Sequence, residues 1–65
     1  MLIKVNGNSE EVSRCTIAQL IGQKGLDTES LVVEHNFRIL NRDEWENVFL
    51  TEEDNLELLT FVGGG

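Results

Sequence analysis

The chain has 65 residues, with 12 acidic and five basic side chains and a formal net charge of −7 at pH 7. A chain of this length folds as one domain with a small core, and it lacks room for a deep catalytic cleft of its own. Because an acidic surface repels phosphate backbones, we expect no nucleic-acid partner and favour a protein partner with a basic docking face. Simple solubility is the alternative explanation of the charge.

The cysteine content favours a reducing compartment, and the hydropathy favours a protein outside the membrane. Cys15 is the only cysteine, so no internal disulfide can form. The sequence contains no apolar stretch of membrane-spanning length and no signal-peptide pattern at its N-terminus, so we expect a cytoplasmic protein without a membrane partner. One cysteine and one histidine, His35, are too few for a closed zinc site, and no EF-hand spacing is present, so no metal site is predicted. We interpret His35 as a turn or surface residue and the acidic clusters as solvated turns.

The first residues predict a β-hairpin. Residues 2–6 alternate in part, with Ile3 and Val5 directed inward. Asn6-Gly7 is typical of a tight hairpin turn, since both residues tolerate positive φ. Residues 9–12 are polar and predict a short return strand at a sheet edge.

An amphipathic helix follows the hairpin. Thr16 and Gln19 fit a capping box, and Gly25 fits a left-handed stop. A possible close approach of Gly22 to the sheet is the only explanation the sequence offers for that glycine. For Cys15, just before the cap, we favour a hydrophobic contact over a reactive thiol. One apolar stripe faces inward and comprises Ile17, Leu20 and Ile21.

The second half predicts further strands. Residues 31–34 form a β-branched run, and residues 37–40 predict a short strand after a turn. A turn or one-turn helix then places Trp45 on the sheet. Residues 51–55 form an acidic turn, and residues 56–62 are the last and strongest strand.

These elements predict an α+β fold of the ubiquitin-like β-grasp type. We expect a mixed sheet of four to five strands, with one main helix packed on one face and the first and last strands side by side. Residues 1–62 would form the domain and residues 63–65 a flexible tail. The helix stripe would pack on Ile3, Val5, Val33 and Leu58.

The glycines that follow the last strand are the most distinctive feature of the sequence. Gly63, Gly64 and Gly65 have no side chains, so such an arm can enter a narrow channel in a partner. A frayed terminus or a linker scar is the alternative. Leu59 and Phe61 fall on the sheet face opposite the predicted helix, where they would form an exposed apolar patch beside the tail. The alternative is that Trp45 or a loop covers them.

Several segments together resemble the ThiS family of sulfur carriers in thiamin biosynthesis. They are residues 16–21, Asn36, residues 42–45 and the end of the chain from Thr60 to Gly65, so the likeness covers the whole chain. The order of the strands in the expected sheet is taken from this resemblance. Asn41 departs from a proline that is common in the family. A terminal Gly-Gly alone is shared with ubiquitin-like modifiers and with the small subunit of molybdopterin synthase.

The resemblance implies a specific chemistry at Gly65. An adenylating enzyme of the ThiF type would use ATP and magnesium to activate its carboxylate, and sulfur would then displace AMP to leave a thiocarboxylate. A thiazole synthase of the ThiG type would take up that sulfur. The chain would be a cosubstrate rather than an enzyme, a monomer when free, without a bound cofactor. The residues expected to bind these partners are Leu59, Phe61, Val62, Gly63 and Gly64.

Other functions fit the same tail. A sulfur carrier for molybdopterin synthesis or tRNA thiolation would use identical activation chemistry. A ubiquitin-like protein modifier would instead join Gly65 to a lysine. A non-covalent β-grasp binding module would leave the tail idle.

Overall fold

The computed structural model describes residues 1–61. This part of the chain contains five strands, one α-helix and two short 3₁₀ helices. The strands are β1 (Leu2–Val5), β2 (Asn8–Glu11), β3 (Leu31–His35), β4 (Arg38–Leu40) and β5 (Asn55–Thr60). The helix is α1 (Ile17–Lys24), and the 3₁₀ helices span Thr28–Ser30 and Arg42–Glu44.

The five strands form one mixed sheet in the order β2-β1-β5-β3-β4. β1 and β5 run parallel, whereas the other neighbouring pairs run antiparallel. The predicted β-grasp arrangement is therefore confirmed, with the first and last strands side by side. β5 lies at the centre of the sheet, and the polar strand β2 lies at an edge, as predicted.

The hairpin between β1 and β2 turns at Asn6 and Gly7, whose φ angles are 50° and 85°. Asn6 also contacts the central strand, because its side-chain oxygen accepts a hydrogen bond from Leu58 N at 2.7 Å. Its Nδ2 donates to Leu58 O at 3.2 Å. The Asn6 side chain therefore continues the pairing of β5 beyond the end of β1.

Helix α1 begins and ends as the sequence predicts. The Thr16 hydroxyl accepts from Gln19 N, and the Gln19 side chain accepts from Thr16 N at 2.8 Å. Gly25 adopts φ 68°, the left-handed conformation that ends the helix. The prediction for Gly22 is wrong: this residue is exposed, and a Cβ placed there would meet no atom within 4 Å apart from its chain neighbours and the backbone of its own helix.

The core lies between the helix and one face of the sheet. Ile17, Leu20 and Ile21 are almost completely buried, as the predicted helix stripe requires. The sheet residues that were predicted to face the helix are buried as well: Ile3, Val5, Val33 and Leu58.

Trp45 belongs to this core and is only 5% exposed. The 3₁₀ helix Arg42–Glu44 comes directly before Trp45. The Trp45 carbonyl accepts a hydrogen bond from Ala18 N at 3.0 Å, on the side of the sheet that carries α1. The Arg42 guanidinium lies 6.0 Å from the Trp45 ring and donates to Thr28 O at 2.6 Å. The predicted turn at Trp45 is therefore confirmed as a structural connection.

No helix within residues 1–61 is long and apolar enough to cross a membrane.

Candidate functional site

The end of β5 is the part of the fold that leads to the glycine tail. β5 pairs with β1 on one side and with β3 on the other. The pairing with the preceding segment continues to the last described residue, since Phe61 N donates to Ser30 O at 2.9 Å. Backbone hydrogen bonding therefore continues one residue beyond β5, to the segment that precedes β3. The predicted site residues Val62, Gly63, Gly64 and Gly65 lie outside the described residues.

An apolar surface lies beside this strand end, on the sheet face opposite the helix. Leu59 and Phe61 are 57% and 65% exposed, so their predicted exposure is confirmed. Leu59 stands opposite Val32 in the β3–β5 register, and Ile39 on β4 is 64% exposed. Trp45 is buried on the other side of the sheet and does not cover them. We call Val32, Ile39, Leu59 and Phe61 the open-face patch.

Two carboxylates lie next to the open-face patch. Glu34 of β3 stands directly opposite Glu57 of β5, one step along the same sheet face from Val32 and Leu59. On the other side, Glu34 faces Ile39. Sequence reasoning could not find this pair, because the two residues are brought together by the register of the strands.

A second group of polar residues lies at the beginning of β5. Asp54 is 5% exposed and accepts hydrogen bonds from His35 Nε2 at 2.9 Å and Asn36 Nδ2 at 3.0 Å. It also accepts from the backbone N and the hydroxyl of Thr51, at 2.8 and 2.9 Å. The interpretation of His35 as a turn or surface residue is therefore wrong, since it ends β3 and its side chain is 17% exposed. The expectation of solvated acidic turns is also wrong for Asp54.

The environment of Asp54 favours its charged form. Burial alone would raise the pKa of this carboxyl group, but the hydrogen bonds from His35, Asn36 and Thr51 outweigh it and lower the pKa to about 2. Asn36 links the same group to the central strand, because its Oδ1 accepts from Asn55 N at 2.8 Å. The network therefore anchors the beginning of the strand whose other end carries the tail.

The turn between β3 and β4 carries an unusual aromatic residue. Asn36 and Phe37 have φ angles of 48° and 70°. Phe37 is 83% exposed, more than any other large apolar side chain of the described part. A bulky residue at positive φ is strained. The sequence predicts a turn one residue earlier and contains no signal for this conformation.

The remaining candidates are structural within residues 1–61. Cys15 is buried beside the helix start, and its carbonyl accepts from Leu50 N at 2.9 Å, in agreement with a packing role. In the same range, no three His, Cys, Asp or Glu side chains lie close enough together to hold a metal ion.

The mixed five-stranded sheet, the single described α-helix on one face and the glycines after the central strand place the chain in the ubiquitin-like β-grasp class. The model of the ThiS family matches residues 3–65. The chain therefore belongs to the ThiS family of sulfur carrier proteins.

Individual relatives agree with this assignment. The chain is 29% identical over 66 residues to the sulfur carrier protein ThiS of Bacillus subtilis, with 98% of this chain and 100% of that protein covered. It is 32% identical to a thiazole synthase of Paramagnetospirillum magneticum, of which it spans only 20%. The crystal structure of the thiamine biosynthesis protein ThiS from Geobacter metallireducens superposes with a TM-score of 0.87 at 28% identity, and both chains are covered completely.

Proposed function

We propose that this chain carries sulfur for thiazole formation in thiamin biosynthesis, as a thiocarboxylate on Gly65. The observation that carries the proposal is the family match, which extends through the terminal glycines to residue 65. The fold supports it, because those glycines follow the central strand of the sheet.

The chemistry takes place in two steps at the Gly65 carboxyl group, the first at its oxygen and the second at its carbon. The Gly65 carboxylate attacks the α-phosphorus of ATP and releases pyrophosphate, which leaves an acyl-adenylate. A sulfide sulfur then attacks the acyl carbon, AMP leaves, and a thiocarboxylate remains. Adenylation is required because a carboxylate is a poor electrophile, whereas AMP is a good leaving group.

The catalytic groups for both steps belong to the partner enzymes. We assign ATP and magnesium to an adenylating enzyme of the ThiF type, and sulfur uptake to a thiazole synthase of the ThiG type. The Paramagnetospirillum thiazole synthase supports the second assignment, because one segment of that longer protein resembles this entire chain. The chain itself acts as a cosubstrate.

The open-face patch supplies the contact that holds the carrier while its tail reacts. Leu59 and Phe61 lie within a few residues of the glycines, and both are more than half exposed. A partner that covers them gains apolar burial and positions the tail at the same time. We include Val62, Gly63 and Gly64 in the same contact, since residues without bulky side chains fit a narrow channel.

Intact mass spectrometry tests the proposal. The chain is incubated with a ThiF-type enzyme, Mg-ATP and sulfide, and the expected product has one oxygen replaced by sulfur. A chain that lacks Gly65 is the control and should stay unchanged. Addition of a ThiG-type enzyme with its small-molecule substrates should then return the carrier to its original mass.

Two results would contradict the proposal. The first is an unchanged mass when the same adenylating enzyme modifies another carrier. The second is the recovery of lysine conjugates of Gly65 from cells, which would indicate a protein modifier instead.

A further inference from the structure

The Glu34 and Glu57 side chains are held together by the sheet despite their equal charge. They are direct partners in the antiparallel β3–β5 register. Directly opposed side chains have Cβ atoms about 4.5–5.5 Å apart, where two like charges destabilise the pair. Neither carboxylate has an ion-pair or hydrogen-bond partner among residues 1–61. The pair therefore lowers the stability of the free protein, and no contact among residues 1–61 compensates for the repulsion.

Apolar side chains flank the two carboxylates. The Val32–Leu59 pair lies two register positions away, on the same sheet face and towards the end of β5. Ile39 stands opposite Glu34 on the other neighbouring strand. The two charges thus lie directly beside the open-face patch, on the same face of the sheet.

We propose that this face docks a protein surface from which an arginine side chain projects among apolar residues. The guanidinium would bridge Glu34 and Glu57 while the apolar residues cover the open-face patch. Arginine fits better than lysine, because its planar group presents five N–H donors and can bond two carboxylates at once. The proposal rests on the proposed function, in that the partner is the adenylating enzyme.

Charge argues against the other occupants. A second copy of this chain would bring another net charge of −7 and another Glu34–Glu57 pair against the first. Nucleic acid is repelled for the same reason. A basic protein surface is complementary, and complementary charge also speeds encounter.

The test compares the affinities of four chains for the adenylating enzyme by titration calorimetry. They are the native chain, the double variant Glu34→Gln/Glu57→Gln, Glu57→Lys and the control Glu46→Gln. Glu46 is an exposed carboxylate next to Trp45, away from the open face. We expect the double variant to bind about tenfold more weakly or worse, Glu57→Lys to bind more weakly still, and Glu46→Gln to bind as the native chain does.

Two further measurements separate docking from folding. The melting temperature of the double variant should equal or exceed that of the native chain, because the repulsion is removed. The native affinity should fall with rising salt more steeply than that of the double variant.

The proposal is overturned if the double variant binds like Glu46→Gln, or if its melting temperature falls. It is also overturned if the native chain self-associates and the double variant does so more strongly, since the open face would then bind a second copy. Sulfur loading of the native chain is measured in parallel. If the native chain gains sulfur and the Glu variants bind normally, only this inference is rejected. If the native chain never gains sulfur, the proposed function is rejected.

Discussion

At the scale of single residues, Asp54 combines almost complete burial with four hydrogen bonds from three neighbours. Each of these bonds is stronger to a carboxylate than to a neutral carboxyl group. The residue directly precedes β5, so the network connects a single ionisation to the anchoring of the central strand. The stability of the fold should therefore depend on whether Asp54 carries its charge.

Asp54→Asn should lower the free energy of unfolding at pH 7 by about 2 kcal/mol. The folded pKa of about 2 lies below the ordinary value of 3.8, so this stabilisation is present above about pH 4 and is lost as the pH falls towards 2. Urea unfolding from pH 7 to pH 2 measures it. The variant should lose less stability over the acid range than the native chain.

The control for this change is Asp43→Asn, which removes an exposed carboxylate. It should follow the native pH dependence. Equal acid sensitivity of Asp54→Asn and the native chain would show that other carboxylates dominate the acid unfolding.

Phe61→Asp should weaken binding to the adenylating enzyme by about tenfold or more, while the unfolding free energy changes by less than about 1 kcal/mol. The reason is that Phe61 is 65% exposed and lies next to the tail. Phe37→Asp is the matched control, since it replaces another exposed phenylalanine at the opposite end of β5. If Phe61→Asp lost several kcal/mol of stability, Phe61 would be a core residue and the docking role would be wrong.

At the scale of elements, α1 and the cap that ends it contain two glycines with opposite requirements. Gly22 lies within the helix with open space at its Cβ position, whereas Gly25 has φ 68° at the helix end. Alanine lowers the backbone entropy of the unfolded chain at both sites, but it fits only the first without strain.

Gly22→Ala should therefore raise the free energy of unfolding by up to about 1 kcal/mol. Gly25→Ala should lower it by about 1 kcal/mol or more, because a side chain at a left-handed position is strained. Thermal unfolding followed by circular dichroism compares the two, and a rise of about 4–8 °C is expected per kcal/mol. Destabilisation by Gly22→Ala would mean that a side chain at this position meets a neighbouring group, contrary to the open space at its Cβ position.

Gly65 is the residue on which the proposed chemistry takes place. One alanine added after Gly65 should abolish sulfur loading, because the activated carboxylate would no longer belong to the glycine that enters the partner. The melting temperature should stay within about 2 °C of the native value, since chain ends contribute little to stability. Intact mass and thermal unfolding check the two halves of this prediction. A large drop in melting temperature would show that the tail packs on the domain.

At the scale of the whole molecule, the sequence predicted the features that depend on neighbouring residues. The Asn6-Gly7 turn, the Thr16 cap and the Gly25 stop are all confirmed. They could be predicted because each residue meets a conformational or hydrogen-bonding requirement of the backbone next to it. The fold followed from the pattern of elements, but the strand order rested on the family resemblance. The exposure of Leu59 and Phe61 was also predictable, since alternation in a strand assigns the face.

Features that join distant residues could not be predicted in this way. His35 and Asp54 are 19 positions apart, and neither position carries a local signal for the other. The Glu34–Glu57 pair likewise requires the strand register. Phe37 is a different case, because its positive φ opposes the preference of a bulky residue. Tertiary structure therefore supplies the two pairs, and at Phe37 it overrides what the local sequence favours.

The position of β5 also determines how the molecule responds to mechanical load. A force applied along the axis of this strand would act across the hydrogen bonds to its neighbours, because those bonds lie perpendicular to the strand. β5 has such neighbours on both sides, β1 and β3, so the load is shared between two ladders, whereas an edge strand would have one. In the proposed function, partners would bind and release the end of the chain one after another, and this double ladder would keep residues 1–61 folded each time.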